Sequence, residues 1–405
     1  MAILNNTTFT AWLKEFYPDK VLQQELAKAS PFVALVPKSK AGGKYVALPI
    51  KVSNPTGRSH TFASALQNSN ASNSYVFNVG LKSDFGIIEV DGITMLSSQD
   101  NKQAFQSALE FETKSALEQL KMSVAVDAWG SGDGSRGQVA ASSSAGATVT
   151  LTNPEMAIRF EKGMVLSAST TAGGALSTGG FTVVDVNYDT GVLSGTWTTI
   201  PTLAPNHYLF AVGDGANGST NIAPTGVPGW LPATKPTSGD SFFGVDRSQS
   251  DRLTGVIFNA AGLSYREALI KAAARVERSL GQPDYVFLNP TDFGNLAIEL
   301  GPNYRYEDLK GVDLGIQGIK LALGKSTVTI VADPMVPANN AFMLQMDTWN
   351  WYYVGKSAMP MVLDLDGNSM RANSSADSYI TRLGVYYNYG CVSPYKNCRI
   401  INFGQ

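Results

Sequence analysis

Apolar positions near the N-terminus recur with helical spacing. Phe9, Trp12, Leu13 and Phe16 follow i, i+3, i+4, i+7 across residues 7–17, the stripe of an amphipathic helix, and Pro18 stops it. A second helical pattern runs through Val21, Leu22, Glu25 and Leu26 before Ser30-Pro31. Exposing Trp12 and Phe16 together is costly, so this arm docks either on its own core or on a neighbouring subunit. Tyr45 to Val52 then reads as a strand, and Pro49 puts it at an edge. Tyr75 to Val90 reads as the return strand, closed by Asp91-Gly92. The connection between them, 53–74, is rich in Asn and Ser and poor in large apolar residues. A loop of that length in a compact domain is either disordered or held by contacts outside the domain.

The strongest helical segment is 101–129. Phe105, Leu109, Ala116, Leu120 and Val124 share one face, and the run of about 40 Å exceeds what most domains need. Gly130 to Gly134 ends it. From Ala147 to Asp214 short strand signals recur, around 148–151, 164–167, 181–186 and 207–212. Asn153-Pro154 starts one brief helix, and Asn187 to Gly191 makes a hairpin turn. Glycine-rich joints flank the block on both sides, so it reads as an inserted small antiparallel β domain. The remainder alternates helix and strand. Ser264-Tyr265-Arg266-Glu267 fits a capping box, with Leu269, Ala273, Val276 and Leu280 on one apolar face and Gly281 placed to end the helix. Tyr285 to Leu288 is a buried-type strand, Thr291 is placed to cap a helix reaching Leu300, and strands follow at 327–331, 341–346 and 349–354. A last long strand, Ser378 to Tyr389, is unusually aromatic.

Composition narrows the function classes. The chain of 405 residues suggests two or three structural units. Its formal charge of −2 argues against tight gripping of a polyanion. Charged residues make up 16 %, below the roughly 25 % of ordinary soluble domains, as expected where surface is hidden against partners. The two cysteines, Cys391 and Cys398, indicate neither a disulfide scaffold nor a zinc site. No signal peptide and no stretch of about 18 apolar residues is visible, so a soluble protein made in the cytoplasm is expected.

The chemistry-bearing motifs fall short. His60 and His207 have no nucleophile partner in sequence and there is no G-x-S-x-G elbow. Gly132 to Gly137 matches G-x-G-x-x-G as a string, but it follows a helix rather than a strand, so a flexible joint is the better account. Asp364 to Ser369 resembles a calcium loop whose glycine is misplaced and whose twelfth position is Ser375. The carboxylate pairs Asp84/Glu89 and Glu299/Asp308 have acid–base potential, with solvated faces as the simpler explanation. No catalytic residue, cofactor site or metal site is assigned. Arg58 and His60, at the tip of the long loop, are candidates for inter-subunit contact, as are Phe9, Trp12 and Phe16.

Several strings resemble the major capsid proteins of tailed double-stranded DNA bacteriophages. They are Phe242 to Ser248 after the 224–236 linker, Ala268 to Val276 leading into Pro283 to Phe293, Val331 to Pro334, and Gln345 to Trp349. The resemblance spans nearly the whole chain except the inserted β block. It implies an α+β tailed-phage capsid fold with N-arm (1–43), extended loop (44–92), and spine helix with peripheral domain (93–138, completed by 376–405). It further implies the inserted β domain (139–217), a linker (218–262) and an axial domain (263–375). The expected activity is structural rather than enzymatic, namely self-assembly into pentamers and hexamers of an icosahedral shell in the host cytoplasm, which becomes the virion capsid. Double-stranded DNA would be held by non-specific containment, with separate scaffolding and portal proteins and no membrane. An encapsulin-like nanocompartment shell is the alternative within the same fold, and a carboxylate-bearing polysaccharide enzyme the alternative outside it.

Overall fold

The aromatic strand at the C-terminus, Ser378–Cys391, organises the first of three larger sheets. The computed structural model describes residues 29–91, 102–140, 147–177, 179–199, 205–215, 222–301, 305–308, 317–324, 326–363 and 370–405, with 102–112, 305–308, 317 and 326 as backbone only. One edge of the long strand pairs antiparallel with Lys82–Asp91, from Ser378↔Asp91 to Tyr387↔Lys82. Its other edge pairs in succession with Met370–Ala372, Met361–Val362 and Trp349–Val354, the last of which also takes Lys38–Lys40 in parallel. Side chains alternate between the two faces. Leu383, Val385, Tyr387 and Tyr389 are buried toward the core and the long helix, while Arg382 is exposed on the other face and Tyr386 half-buried there.

That helix is Lys102–Ala128, 27 residues, or about 40 Å at 1.5 Å per residue. Thr113, Leu117, Leu120, Val124 and Ala128 are buried at spacings of three and four. Leu120 and Val124 belong to the face expected from sequence and Ala116 packs beside it; the side chains of Phe105 and Leu109 lie outside the described residues. Tyr387 Oη donates to Asp127 Oδ2 at 2.9 Å, fastening helix to sheet.

Two expectations from sequence change here. The return strand read over 75–90 is two strands. Asn73–Gly80 pairs back on Tyr45–Ser53, and Lys82–Asp91 leaves the hairpin for the long strand. The switch occurs where fully buried Asn388 donates to the Gly80 carbonyl at 2.7 Å and accepts from Thr225 N at 2.8 Å. The loop hairpin also does not stand free of its own subunit. Leu48, Ile50, Phe77 and Val79 are buried, and Phe77 packs edge-on against Trp230 and Phe242.

The part of the 1–43 arm that is described, 29–43, is likewise docked on its own chain. Pro31–Leu35 forms a single helical turn with proline at its first positions. Phe32 is wholly buried, with ring centroids 5.2 Å from Trp129, 5.6 Å from Phe287, 6.0 Å from Trp349 and 5.9 Å from Tyr389. Ser30 Oγ donates to Asp333 Oδ2 at 2.5 Å and Phe32 N to the same oxygen at 3.4 Å. Phe9, Trp12 and Phe16 lie outside the described residues.

The second sheet has seven strands in the order Val256–Asn259, Cys398–Ile401, Asn340–Leu344, Tyr285–Leu288, Ser326–Ala332, Gln317–Leu323 and Arg305–Asp308. Helices Tyr265–Arg278 and Pro290–Leu300 cover it with Ala268, Leu269, Ala272, Ala273, Val276 and Leu296. Ser264 Oγ accepts from Glu267 N as the capping pattern requires, while the Glu267 carboxylate turns to Lys271 at 2.6 Å. Leu280 is not on the buried face. It lies past the helix end in the left-handed turn (φ 61°) and is 82 % exposed. Gly281 follows because a Cβ there would meet Val276 Cγ1 at 2.5 Å and the Lys396 carbonyl at 2.7 Å. The second helix is capped by Asn289, whose Oδ1 accepts from Thr291 N, and not by Thr291 itself. Both cysteines are buried and free, and burial pushes the Cys391 thiol up to about 12 and the Cys398 thiol higher still.

The inserted block forms the third sheet, in the order Ser135–Gln138, Tyr208–Ala211, Val165–Ser169, Phe181–Asn187, Val192–Trp197 and Thr148–Thr150. It has its own core, including Val149, Phe160, Leu166, Phe181, Leu193 and Leu209. The Gly132–Gly137 string opens a strand here, not a helix. Gly134 (φ 80°) is required where the two connections to the insert touch, since a Cβ would lie 2.1 Å from the Asp214 carbonyl. No helix among the described residues is long and apolar enough to cross a membrane.

Candidate inter-subunit surfaces

The loop beyond the buried hairpin base is almost wholly solvent-facing. Residues 54–63 and 66–72 are exposed. Within them Phe62–Gln67 forms a short helix, which the Asn- and Ser-rich composition concealed. Local bonds hold the tip together, Thr56 Oγ1 to the Asn68 carbonyl at 2.8 Å and Thr61 Oγ to Ser64 Oγ at 2.8 Å. Phe62 is 84 % and Leu66 66 % exposed, one turn apart on the same helix face. Fully burying two such side chains is worth about 1.5–3 kcal/mol each, so the exposed pair makes this a candidate contact surface. Arg58 and His60 are both exposed beside them. A charge signal accompanies this surface. From Leu26 to Ser83 there is no Asp or Glu, while Lys28, Lys38, Lys40, Lys44, Lys51, Arg58 and Lys82 fall inside that span. Within the connection 53–74 itself, Arg58 is the one charged residue.

The outer face of the peripheral sheet is the second exposed surface. Phe85 (55 % exposed) and Ile87 (67 %) project from Lys82–Asp91, away from the long helix. Phe85 meets Tyr386 edge-on at 5.7 Å. Glu89 lies on that same face, where Ser378 and Asn373 donate to its carboxylate and hold it below the usual range. Asp84 points the other way, toward the long helix, so Asp84 and Glu89 share no cleft.

Asp84 instead lies at the joint between helix, long strand and insert. A cavity of about 320 Å³ there is lined by Asp84, Ser123, Arg136, Glu161 and Asp214, with Val165 and Val212 at apolar positions around it. Arg136 is buried, donating to Asp214 Oδ2 at 3.2 Å and to the Arg159 carbonyl at 3.4 Å. Arg159, also buried, donates to the Met335 carbonyl at 2.5 Å and so latches the insert to the main body. Burial raises the Asp84 carboxyl to about 6, with Asp214 adding repulsion against the help of Ser123 and Arg136. Asp127 is pushed well above its ordinary value by burial and by Asp84. Burial likewise brings Asp284, Asp292 and Asp333 to about 6.

These shifts set a pH dependence. A carboxyl whose folded value is about 6 against 3.8 unfolded holds its proton more tightly when folded. Its contribution is therefore fully present below 3.8 and lost as pH rises through about 6. Asp246 acts oppositely. Hydrogen bonds from Ser248 lower it to about 2, so its contribution fades only as pH falls below 3.8 toward that value. The expected calorimetric result is a melting temperature several degrees higher at pH 5 than at pH 8, with a smaller difference in Asp333→Asn. A melting temperature that is flat or rising between pH 5 and 8 would contradict the assignment.

The remaining sequence candidates are dispersed. His60 sits on the exposed tip and His207 at the edge of the inserted sheet, its carbonyl accepting from Val139 N. Glu299 accepts from Arg266 N at 3.3 Å, and the Asp308 side chain lies outside the described residues. Among the described residues no group of three His, Cys, Asp or Glu side chains is arranged to hold a metal ion.

No protein-family model matches the chain, and no curated protein matches it. Among solved structures it is similar to a chain of the cyanophage A-1(L) capsid asymmetric unit, 13 % identical, covering 93 % of each chain with a TM-score of 0.55. It is also similar to a Mycobacterium phage Bobi chain, 10 % identical over 100 % of both chains at 0.42. The holo-SrpI encapsulin complex of Synechococcus elongatus PCC 7942 gives 9 % identity over 100 % of this chain and 98 % of that one at 0.44. The first of these shows the fold: over nearly its whole length the chain has the architecture of that cyanophage capsid chain.

Proposed function

We propose that this chain is a major capsid protein of a tailed double-stranded DNA bacteriophage, assembling with copies of itself into the pentamers and hexamers of an icosahedral shell. The observation that carries the reading is the fold shared with the cyanophage capsid chain across 93 % of both chains. An exposed, acid-free loop tipped with Phe62 and Leu66 supports it, because that surface is suited to a partner outside the subunit. The role is structural, and the site of action is the virion capsid, built in the host cytoplasm with separate scaffolding and portal proteins. DNA is contained rather than gripped, in keeping with the overall charge of −2.

Gradient sedimentation of the expressed chain tests this. The expected result is a fast-sedimenting particle far larger than one chain, whose dissociated subunits retain duplex DNA only weakly at physiological salt. A monodisperse monomer at high concentration, or nanomolar duplex affinity of the isolated subunit, would overturn the reading. Protein cargo in place of nucleic acid inside particles from the native source would favour the encapsulin-like alternative.

A further inference from the structure

We infer that the joint of the inserted β domain is an ion-pair exchange, in which Arg136 trades Asp214 for Asp84 when Asp84 ionises and draws the insert over the cavity beside it. The device belongs to the single subunit and stands independently of the shell reading. Two buried polar atoms on residues lining this cavity have no hydrogen-bond partner, Arg136 Nε from the insert and Asp84 Oδ2 from the peripheral sheet. One is a donor on a cation and the other an acceptor on a carboxyl, so each is what the other lacks. The rest of the Arg136 fork is occupied, Nη1 by the Arg159 carbonyl and Nη2 by Asp214. A guanidinium grips a carboxylate best with two parallel donors. Presenting Nε and Nη2 to Asp84 therefore requires Nη2 to release Asp214, while Nη1 keeps the Arg159 carbonyl.

Charge decides between the two partners. The groups around Asp84 are Lys82 on its own strand, Ser123 and Asp127 from the long helix, Tyr387 from the long strand, and Arg136, Glu161 and Asp214 from the insert. Carboxyls predominate among them. Burial raises Asp84 to about 6, and Arg136 is the cation that steadies its charge. A buried carboxylate without a partner is costly, whereas Asp214, its side chain 43 % exposed, loses little on returning to water. Neutral Asp84 leaves Arg136 with Asp214, the arrangement in the structure, and ionised Asp84 takes it over. The cavity of about 320 Å³ gives the insert room to approach. Gly132 (φ 93°) and Gly213 (φ 98°) in its two connections absorb the change in backbone angle. Arg159 on the Met335 carbonyl remains the pivot.

Spin labels on Gln119→Cys and Val212→Cys test this, both positions being exposed, one on the long helix and one on the insert. The full chain carries both labels and is diluted with unlabelled chain, so only distances within one molecule are read. The native thiols are buried and held protonated, so they stay unlabelled. Double electron–electron resonance should give a longer distance at pH 5 and a shorter one at pH 8, exchanging at or below about pH 6. Asp84→Asn keeps the shape and removes the charge, so it should hold the longer distance at both values. Asp214→Asn removes the competing partner and its repulsion, so its midpoint should fall below that of the unaltered chain. That half-exposed site gives a result even if Asp84→Asn does not fold. A distance unchanged between pH 5 and 8, a change that persists in Asp84→Asn, or a midpoint unmoved by Asp214→Asn would each overturn the exchange.

Discussion

Phe32→Ala is expected to destabilise the folded subunit by about 3–5 kcal/mol, the range for removing a fully buried aromatic ring. The position concentrates more than its own area. Four rings surround Phe32 from three places, Trp129 just past the long helix, Phe287 and Trp349 in two different sheets, and Tyr389 on the long strand. Truncation leaves a cavity where these units meet, and the walls cannot close on it without moving whole sheets. The neighbouring Ser30–Asp333 bond ties the same segment down, so fraying of residues 29–36 should accompany the loss. Urea denaturation of the isolated subunit measures it, and a change below 1 kcal/mol would mean the segment is a passenger.

The second large effect lies at the opposite extreme of burial. Replacing Phe62 and Leu66 together by serine should leave subunit stability within about 0.5 kcal/mol, as for exposed substitutions generally. The same change should abolish particle formation. Interface energy concentrates in a few apolar anchors worth 2 kcal/mol or more, and every subunit of a shell repeats the contact. A loss of that size weakens each contact at least tenfold, since about 1.4 kcal/mol is a factor of ten. Sedimentation of the double variant beside a thermal melt separates the two effects. Particles at unaltered yield would show that the loop tip carries no assembly energy.

Strongly periodic segments were legible in the sequence and short ones were not. The 27-residue helix falls within the span predicted for it because its apolar stripe persists through many turns. The capping serine at 264 and the Tyr285–Leu288 strand follow from local chemistry alone. The helical turn Pro31–Leu35 was not legible, because five residues have no period to detect. The strand switch at Gly80 was invisible because the hydrogen bonds that enforce it come from Asn388, 308 positions away. At the candidate surface, Arg58 and His60 stood out as the basic-type residues of a polar loop. Phe62 and Leu66 did not, since two apolar residues among serines and asparagines make no pattern until a helix aligns them. The acid-free run from Leu26 to Ser83 was the available signal, visible only when charge is read by segment rather than summed.

Cryo-electron microscopy of the purified full-length chain at assembling concentration is the most direct measurement. Closed shells should appear, with five- and six-membered rings in which the loop of one subunit lies across its neighbour. Isolated subunits at every concentration and salt, or open aggregates without rotational symmetry, would contradict the account.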